Sequence, residues 1–234
     1  MTPRVVSLVP SSTETLLALG ADVVACTRFC EQPELRHVGG TKNPDIDAIV
    51  GLQPDVVVMD SEENRREDHD ELVALGLSVF VSAVRSVDDA VAVVDDLMTL
   101  LDLDRPPFDL PSTVGPCTRA AFVPIWRRPW MSISEHTYGG SLLERIGIEL
   151  VTAGSPDPYP TVDLTEVAAH APDLVLVPSE PYEFSESHLA ELHGAIPNAT
   201  IVRVDGRDLF WWGIRTPAAI RRLAVVAADV THGV

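Results

Sequence analysis

The chain has 234 residues, of which 46% are hydrophobic and 22% charged, a composition typical of a globular protein with one or two domains. Its 35 Asp and Glu residues outnumber 17 Lys and Arg residues, and the formal net charge of -18 excludes the basic surface that nucleic-acid binding requires. The same charge disfavours binding to anionic lipid.

The N-terminus carries no pattern of a targeting segment. The chain opens on Met1-Thr2-Pro3-Arg4 and leads directly into the apolar run 5–9. This run is too short for the core of a secretory signal, and it is far too short to span a bilayer. We therefore expect no membrane insertion and, if Met1 is the native start, a cytoplasmic protein.

The first half of the sequence alternates between strand-like and helix-like segments. Residues 5–7 predict a strand, and the helix that follows is expected to be capped by Ser11 or Ser12 and to end at Gly20. A short helix, a Pro-Asp turn and a buried strand come next, and a further strand and a long helix complete this half. These four elements are predicted at 45–50, 56–58, 77–81 and 87–103.

The second half repeats part of this pattern. Asp163 begins a short helix that leads through Pro172-Asp173 into the apolar run 174–176, with the spacing found in 45–58. A strand at 132–134, followed by a helix from Gly140 to Gly147, is expected to correspond to the strand at 5–7 and its helix. Further strands are predicted at 120–125 and 201–204, and a closing helix at 217–230.

The repeat predicts an α/β fold with two lobes of similar topology. The N-terminal lobe is expected over 1–103 and the C-terminal lobe over 119–234. The four prolines within 104–118 exclude a regular helix there and predict a short, semi-rigid interlobe linker. Ligands of open α/β folds bind beyond the carboxyl ends of the strands, so the predicted site is a cleft between the lobes.

The candidate ligand-binding residues follow the predicted strand ends. In the N-terminal lobe they are Ser12, Arg28, Phe29, Cys30, Lys42, Asn43, Glu63 and Asn64. In the C-terminal lobe they are Trp126, Trp130, His136, Tyr138, Glu180, Tyr182, Trp211, Trp212 and Arg215. Lys42 and Arg215 would meet acid groups of the ligand. The acidic run that contains Glu63 and Asn64 is alternatively a solvated helix start.

Aromatic residues are concentrated in the second half, which contains all four Trp and all three Tyr residues. Flat rings suit a flat or apolar ligand, so we expect them to form an aromatic wall. The alternative is that some of these rings pack in the core of the lobe. The set is Trp126, Trp130, Tyr138, Tyr159, Tyr182, Trp211 and Trp212.

Motifs for catalysis are missing from the sequence, which has no nucleophile elbow, phosphate-binding loop, zinc-protease helix or dinucleotide-binding glycine triplet. If the chain is an enzyme, the acid–base candidates are Glu63, His136, Tyr138 and Glu180.

The cysteines Cys26, Cys30 and Cys117 lack zinc-finger and CxxC spacing, which predicts reduced, partly buried thiols. The alternative is a mixed metal site of Cys30, Glu63 and His136, formed when the cleft closes.

Several motifs together resemble one known family. They are Val5-Val6-Ser7-Leu8-x-Pro10-Ser11-x-Thr13-Glu14, Val38-Gly39-Gly40-Thr41-Lys42-Asn43-Pro44, Leu52-x-Pro54-Asp55-Val56-Val57, Tyr159-Pro160-Thr161-Val162-Asp163-Leu164 and Asp205-Gly206-x-x-Leu209-x-Trp211-x-Gly213-x-Arg215. The set is similar to the cobalamin- and siderophore-binding proteins of ABC importers, a periplasmic-binding-protein family of the helical-backbone metal-receptor class. The resemblance implies a class III fold of two lobes, a small-molecule ligand between them and an ABC permease as partner.

Features of this chain depart from the family pattern. The importers carry a secretion or lipoprotein signal and a long interlobe helix, and here the Pro-rich linker predicts that this helix is shortened or lost. Arg65-Arg66 stand near a position where family members have a permease-docking Glu, which disfavours docking on a permease. The Trp that contacts cobalamin in the family, expected near Asp60, is absent from this sequence.

The resemblance thus implies a solute-binding protein that holds a corrinoid, tetrapyrrole or metal chelate in the interlobe cleft, with no cofactor beyond such a ligand. The missing signal and interlobe helix favour an alternative, a cytoplasmic enzyme or biosynthetic accessory protein that reuses the fold to bind a natural-product intermediate. A third alternative is an importer subunit whose signal has been removed.

Overall fold

The computed structural model describes residues 2–103, 108, 110–112 and 117–229. The chain divides into two compact units, unit 1 (Met1–Val84 and Asp88–Phe108) and unit 2 (Arg85–Val87 and Asp109–Val234). Residues 104–107, 109 and 113–116 of the predicted linker lie outside the described part, and the described residues between Leu103 and Arg119 belong to no helix. No helix in the described ranges is long and apolar enough to cross a membrane.

Unit 1 is built on a parallel sheet with helices between its strands. Its elements are β1 (Arg4–Ser7), α1 (Pro10–Ala18), β2 (Asp22–Cys26), β3 (Arg36–His37), β4 (Gly39–Gly40), β5 (Asn43–Pro44), α2 (Ile46–Leu52), β6 (Val56–Asp60), α3 (Arg66–Ala74), β7 (Val79–Ser82) and α4 (Val87–Leu101). The sheet has the order β3-β2-β1-β6-β7 with every neighbouring pair parallel, while β4 and β5 form a separate antiparallel hairpin.

The hydrophobic pattern explains the position of the central strands in unit 1. Every residue of β6 is buried, as expected for a strand covered on both faces of a parallel sheet. Its residue Met59 belongs to a core that also includes Leu8, Ile49 and Leu72, all at most 1% exposed. Because β1 and β6 are fixed by this core, the loops at their carboxyl ends have a rigid base.

The prediction that Ser11 or Ser12 caps helix α1 is wrong. The N-cap is Val9, whose side chain makes no capping hydrogen bond, and Pro10 is the first helical residue. Proline suits this position because its fixed φ is helical and its missing N–H would have no partner within the helix. Ser12 is instead fully buried. The helix is followed by Gly20 with a φ of 80°, as its C-terminal glycine predicts.

Unit 2 contains a second parallel sheet. Its elements are β8 (Arg119–Phe122), β9 (Pro124–Trp126), β10 (Met131–Ser132), α5 (Tyr138–Arg145), β11 (Ile148–Leu150), α6 (Leu164–Ala169), β12 (Leu174–Pro178), α7 (Glu186–Ala195), β13 (Thr200–Val204), α8 (Gly206–Phe210) and α9 (Thr216–Asp229). The sheet order is β11-β8-β12-β13, all parallel, and β9 pairs with β10 in an antiparallel ribbon. A core around Phe122, Val175 and Leu192 packs beneath α6 and α7.

The sequence repeat corresponds to a hydrogen bond that recurs in both units. The carboxylate of Asp55 accepts a hydrogen bond from the backbone N–H of Arg4 at 2.7 Å, and that of Asp173 accepts one from Ala120 at 2.8 Å. Each Pro-Asp turn therefore ties the start of one buried strand, β6 or β12, to the strand beside it. The counterpart of β1 is consequently β8.

This pairing corrects one expectation from the sequence. The stretch 132–134 was expected to match 5–7, but Ser132 lies in β10, a short antiparallel strand. Helix α5 begins at Tyr138 rather than Gly140, and Thr137 caps it by accepting from the N–H of Gly140 at 3.1 Å. The ribbon of β9 and β10 is thus inserted between the central strand of unit 2 and its helix.

Candidate functional site

In unit 1, Asn64 connects three loops at the carboxyl edge of the sheet. Its side-chain oxygen accepts from the backbone N–H of Asp60 at 2.8 Å. Its amide nitrogen donates to the carbonyl oxygens of Leu8 at 3.3 Å and Thr41 at 2.9 Å. Asn64 is 8% exposed, so both amide hydrogens are used within the protein. This predicted ligand contact therefore acts by positioning the loops that follow β1 and β6 and the hairpin of β4 and β5.

Replacing Asn64 by Asp keeps the size of the side chain and removes both donors. We expect the free energy of unfolding to fall by about 2–3 kcal/mol, because buried carbonyl oxygens would then face a carboxylate. Urea denaturation followed by circular dichroism measures this change. Asn43→Asp, at an exposed position of β5, is the matched control and should change stability by less than about 0.5 kcal/mol. Equal losses in the two variants would contradict the role given to Asn64.

The exposed side of this edge carries two cations and a ring. The guanidinium of Arg28 lies 4.7 Å from the centre of the Phe29 ring, which is 51% exposed. A Cβ on Gly40 would lie 3.0 Å from a guanidinium nitrogen of Arg28, so the glycine leaves room for that side chain. The amine of Lys42 donates to the carbonyl oxygen of Glu62 at 2.5 Å. These groups can meet a ligand that combines a flat surface with acid groups.

Glu63 lies on the same edge and its carboxyl is electrostatically unusual. Desolvation by the surrounding protein raises its pKa above the ordinary value, and the carboxylates of Asp60 and Glu62 act in the same direction. The amine of Lys42 opposes this shift. Glu63 therefore keeps its proton to a higher pH than an ordinary surface Glu does.

Two predicted contacts of unit 1 lie beneath the surface. Ser12 is 0% exposed and Cys30 is 2% exposed, so neither reaches solvent without a change in the covering loops. They support the edge from below and are not part of its exposed surface.

A pocket of about 280 Å³ opens in unit 1 where β6 and β7 end and α3 begins. It is lined by Met59, Asp60, Ser61, Asn64, Arg65, Arg66, His69 and Val81. The Asp60 carboxylate accepts hydrogen bonds from the Ser82 hydroxyl at 2.6 Å and from the Glu62 N–H at 2.9 Å. Pockets for drug-sized ligands range from about 300 to 1,000 Å³, so this pocket is too small for a tetrapyrrole.

In unit 2 the aromatic residues near the end of β12 form a ring cluster. The ring centres of Trp126 and Tyr182 lie 5.1 Å apart, and those of Tyr182 and Phe184 lie 4.8 Å apart. Trp130 stacks on Phe184 at 5.9 Å. The side chain of His188 lies beside both Tyr182 and Phe184. We call these five side chains the ring cluster; Phe184 is buried, and Trp126 is 45% exposed at its outer edge.

Hydrogen bonds hold one side of the ring cluster in place. The carboxylate of Glu191 accepts from the indole N–H of Trp130 at 3.3 Å and from two nitrogens of Arg127 at 2.6 and 2.9 Å. The same guanidinium lies 5.7 Å from the Trp130 ring. Trp126 is therefore presented to solvent by a rigid support.

A second group of unit 2 surrounds Trp211. The guanidinium groups of Arg207 and Arg215 lie 6.0 and 5.6 Å from the Trp211 ring. Arg215 donates to the buried carboxylate of Asp208 at 3.0 Å, and Arg222 binds the same carboxylate through two nitrogens at 2.7 and 2.5 Å. Arg215 is predicted to meet an acid group of the ligand. In the structure it also forms an ion pair with Asp208.

The expected wall of seven rings is not a single surface, because two of its members belong to the core. Tyr138 and Trp212 are each 5% exposed. The hydroxyl of Tyr138 shares a hydrogen bond with that of Thr216 at 2.9 Å, and burial raises the pKa of the phenol. A buried phenol with a raised pKa is a poor acid–base catalyst near neutral pH. Tyr159 is 37% exposed and lies on the loop before α6.

The remaining candidates of unit 2 lie in loops. His136, with a side chain 52% exposed, precedes α5 and lies 4.0 Å from the carboxylate of Glu135. Glu180 follows β12, and a Cβ on Gly206 would lie 2.7 Å from its backbone nitrogen. The start of α8 thus fits closely against the loop that carries Glu180.

The metal site of Cys30, Glu63 and His136 remains a prediction that spans both units. Within the described ranges, no group of three or more His, Cys, Asp or Glu side chains is arranged to hold a metal ion.

Comparison with known proteins connects this geometry to a family. Residues 5–101 match the model of the family described as periplasmic binding protein. The chain is 26% identical over 195 residues to the vitamin B12-binding protein of Yersinia pestis (strain Pestoides F), an alignment that covers 74% of this chain and 69% of that protein. The vitamin B12-binding protein of Yersinia pseudotuberculosis serotype O:1b matches to the same extent.

The predicted family resemblance is confirmed. Among solved structures, the periplasmic vitamin B12-binding protein of Vibrio cholerae superposes with a TM-score of 0.74 at 18% identity. The alignment covers 99% of this chain and 98% of that protein's chain. The periplasmic heme-binding protein of Roseiflexus sp. RS-1 in its apo form has a TM-score of 0.74 at 20% identity and covers 98% and 99%. The chain thus has the class III binding-protein fold of two α/β lobes.

Sequence reasoning missed several residues of these groups. Phe184 and His188 complete the ring cluster, Glu191 and Arg127 orient it, and Asp208 fixes Arg215. A signal existed for Phe184, which stands two residues after Tyr182 in the loop that follows β12. Nothing local marks Asp208, because its partners follow it in the chain, Arg215 in the turn before α9 and Arg222 within that helix.

Proposed function

We propose that the chain binds a flat, conjugated ligand that bears acid groups, of the corrinoid, tetrapyrrole or metal-chelate class. The observation that carries this proposal is the exposed indole of Trp126 at the outer edge of the ring cluster of unit 2. The predicted location of the ligand, at the carboxyl ends of the parallel strands, is part of the proposal. The relatives described as vitamin B12-binding and heme-binding support the same ligand class.

The charges near the rings support a ligand with acid groups. The chain carries a net charge of -18, so exposed cations beside aromatic rings are local exceptions in an acidic protein. Arg28 lies beside Phe29 in unit 1, and Arg207, which also pairs with the carboxylate of Asp205 at 3.2 Å, lies beside Trp211 in unit 2. A guanidinium next to a ring can pair with a carboxylate while the ring contacts the flat part of the same ligand.

The proposed role is binding without chemistry on the ligand. Tyr138, one of the acid–base candidates, is buried, and burial raises the pKa of its phenol, which makes it a poor proton donor or acceptor near neutral pH. That the protein is cytoplasmic, if Met1 is the native start, and that a permease partner is possible but disfavoured stay predictions from the sequence.

Replacing Trp126 by Ala tests the proposed contact. We expect the affinity for the ligand to fall by about tenfold or more, because exposed aromatic anchors contribute most strongly to binding. The quenching of tryptophan fluorescence during titration with cobalamin or hemin measures the affinity. Val225→Ala, at another exposed apolar position of unit 2, is the matched control and should bind as the unmodified protein does. Unchanged affinity in the Trp126 variant would remove this ring from the site.

A further inference from the structure

The pocket in unit 1 where β6 and β7 end contains a buried carboxylate. Asp60, the last residue of β6, is 4% exposed and is the one acid among the described residues that line this pocket. Its carboxylate accepts hydrogen bonds from the hydroxyl of Ser82 at 2.6 Å and from the backbone N–H of Glu62 at 2.9 Å. Both donors are neutral, and no cationic side chain in the described ranges forms an ion pair with Asp60. Because burial of an unpaired carboxylate is costly, a cation bound in the pocket would stabilise it.

The cationic side chains of the pocket wall are paired with acids of α3. The guanidinium of Arg65 donates to the carboxylate of Asp68 through two nitrogens, at 2.6 and 3.0 Å. The Arg66 side chain is 88% exposed and lies 3.8 Å from the carboxylate of Asp70, which also lies 2.8 Å from the ring of His69. Two acids thus balance two arginines, and the negative charge inside the pocket remains without a counter-charge. The wall therefore favours a cation over an anion, as does the net charge of -18.

Apolar side chains form another part of the pocket wall. Met59 is 1% exposed, and Val81 on the edge strand β7 is 43% exposed, so apolar surface lines the pocket from the interior of the sheet to its edge. The pocket volume of about 280 Å³ is roughly nine times the volume that one water molecule occupies in the liquid. A bare inorganic cation would fill only a small part of this space. A matching ligand therefore carries an aliphatic chain beside its charge.

This pocket is distinct from the part of the edge that carries Arg28 and Phe29. Those two residues follow β2, and the order β3-β2-β1-β6-β7 places β2 three strands away from β7. Neighbouring strands are about 4.8 Å apart, so the ends of β2 and β7 are separated by about 14 Å. The pocket is thus a second candidate site within unit 1.

We propose that this pocket binds a small organic cation, a primary ammonium group attached to a short aliphatic chain. Each oxygen of the Asp60 carboxylate accepts one hydrogen bond from the protein and has room for another, so the ammonium can donate to both. The chain then lies against Met59 and Val81, where it is removed from water. An alcohol of the same length lacks the charge, and a carboxylic acid of the same length has the wrong one.

The test is a titration of the full chain, labelled with ¹⁵N, with n-butylammonium chloride at constant ionic strength. Ammonium chloride, 1-butanol and sodium butyrate are titrated in parallel. We expect n-butylammonium to shift the backbone amide signals of residues 59–62 and 82 in a saturable way, with a dissociation constant on the order of 1 mM, because so small a ligand makes few contacts. The three other probes should bind at least tenfold more weakly. Equal affinity for 1-butanol, the absence of saturation, or shifts confined to other amides would overturn the proposal.

Two variants and a control locate the charge that is recognised. Asp60→Asn keeps the size of the side chain, and its amide can still accept from Glu62 and pair with Ser82, but the negative charge is lost. We expect the affinity for n-butylammonium to fall at least tenfold. Asp47→Asn, at an exposed position in the first turn of α2, makes the same change of charge outside the pocket and should leave the affinity unchanged.

Val81→Lys tests the site without altering its buried carboxylate. The position is exposed, so the variant should fold, and the new ammonium would compete with the ligand for Asp60. We expect this variant to lose saturable binding of n-butylammonium. Unchanged affinity in Asp60→Asn, or in Val81→Lys if the first variant does not fold, would overturn the proposal. None of the probes contains a ring, so the outcome is independent of the binding proposed for the ring cluster of unit 2.

Discussion

Replacement of Asp208 by Ala is expected to lower the free energy of unfolding by about 3–5 kcal/mol, because it removes one member of a buried ion-pair network. The Asp208 side chain is 3% exposed and accepts hydrogen bonds from both Arg215 and Arg222. The Arg215 side chain is itself only 15% exposed, so it would lose this counter-charge in a largely dehydrated environment. Arg215 would also lose the contact that holds it beside Trp211.

Arg222→Ala provides the matched control for this network. The Arg222 side chain is 53% exposed, so its removal leaves Asp208 with Arg215 and should cost only about 1 kcal/mol. Urea denaturation followed by circular dichroism compares the two variants. If both lose the same stability, or if Asp208→Ala changes it by less than the error of the method, the buried carboxylate does not organise this part of unit 2.

Gly140→Ala should be nearly as destabilising, with a loss of about 3 kcal/mol. Gly140 is in the first turn of α5, where a Cβ would overlap the carbonyl oxygen of Ser134 and lie 3.0 Å from the Cα of Glu135. Both are backbone atoms, so no side-chain rotation relieves the overlap. The loop that would have to move carries His136 and the capping residue Thr137, and α5 would therefore shift against it.

Gly194→Ala is the opposite case in the same unit. Gly194 lies inside α7, and a Cβ there meets no heavy atom within 4 Å. Alanine should stabilise the protein by about 0.5–1 kcal/mol, because it restricts the unfolded chain and favours the helix. Thermal denaturation of the two variants should give melting temperatures on opposite sides of that of the unmodified protein. A melting temperature of the Gly140 variant equal to or above that of the unmodified protein would contradict the close approach at Gly140.

The parts of the fold predicted correctly from the sequence depend on strong local signals. The β-branched runs of β6 and β12, each preceded by a Pro-Asp turn, identify buried parallel strands without any tertiary information. The residues before these turns, Gln53 and Ala171, even share the same positive φ of 48°. Composition and periodicity are sufficient for such elements, since their burial on both faces leaves few alternatives.

The errors came from choices that local sequence does not decide. Ser11 and Ser12 are good capping residues, but Pro10 fits the first helical position better and moves the start of α1 forward. Aromatic content alone does not separate core rings from exposed ones, so Tyr138 and Trp212 were grouped with Trp126. The match between β1 and β8 depends on a hydrogen bond from the backbone N–H of Ala120 to the carboxylate of Asp173, and these two residues are 53 positions apart in the chain.

The candidate site, like the fold, could be predicted from the sequence only in part. The sequence located the exposed candidates Arg28, Phe29 and Trp126, because strand ends can be read from the pattern. It did not reveal that the side-chain amide of Asn64 forms hydrogen bonds with three loops, or that Arg215 forms an ion pair with Asp208. The contacts of Asn64 with Leu8 and Thr41 join residues that are far apart in the chain, and the ion pair of Arg215 with Asp208 forms only once the turn after α8 has folded.

The most direct test of the central claim is titration of the purified protein with cobalamin, hemin and ferric siderophores, followed by isothermal calorimetry and by the absorption spectrum of each ligand. We expect at least one of these ligands to bind saturably, with one site per chain and a shift in the absorption spectrum of that ligand. A protein that binds none of them, and that carries no coloured ligand when purified, would contradict the proposed ligand class.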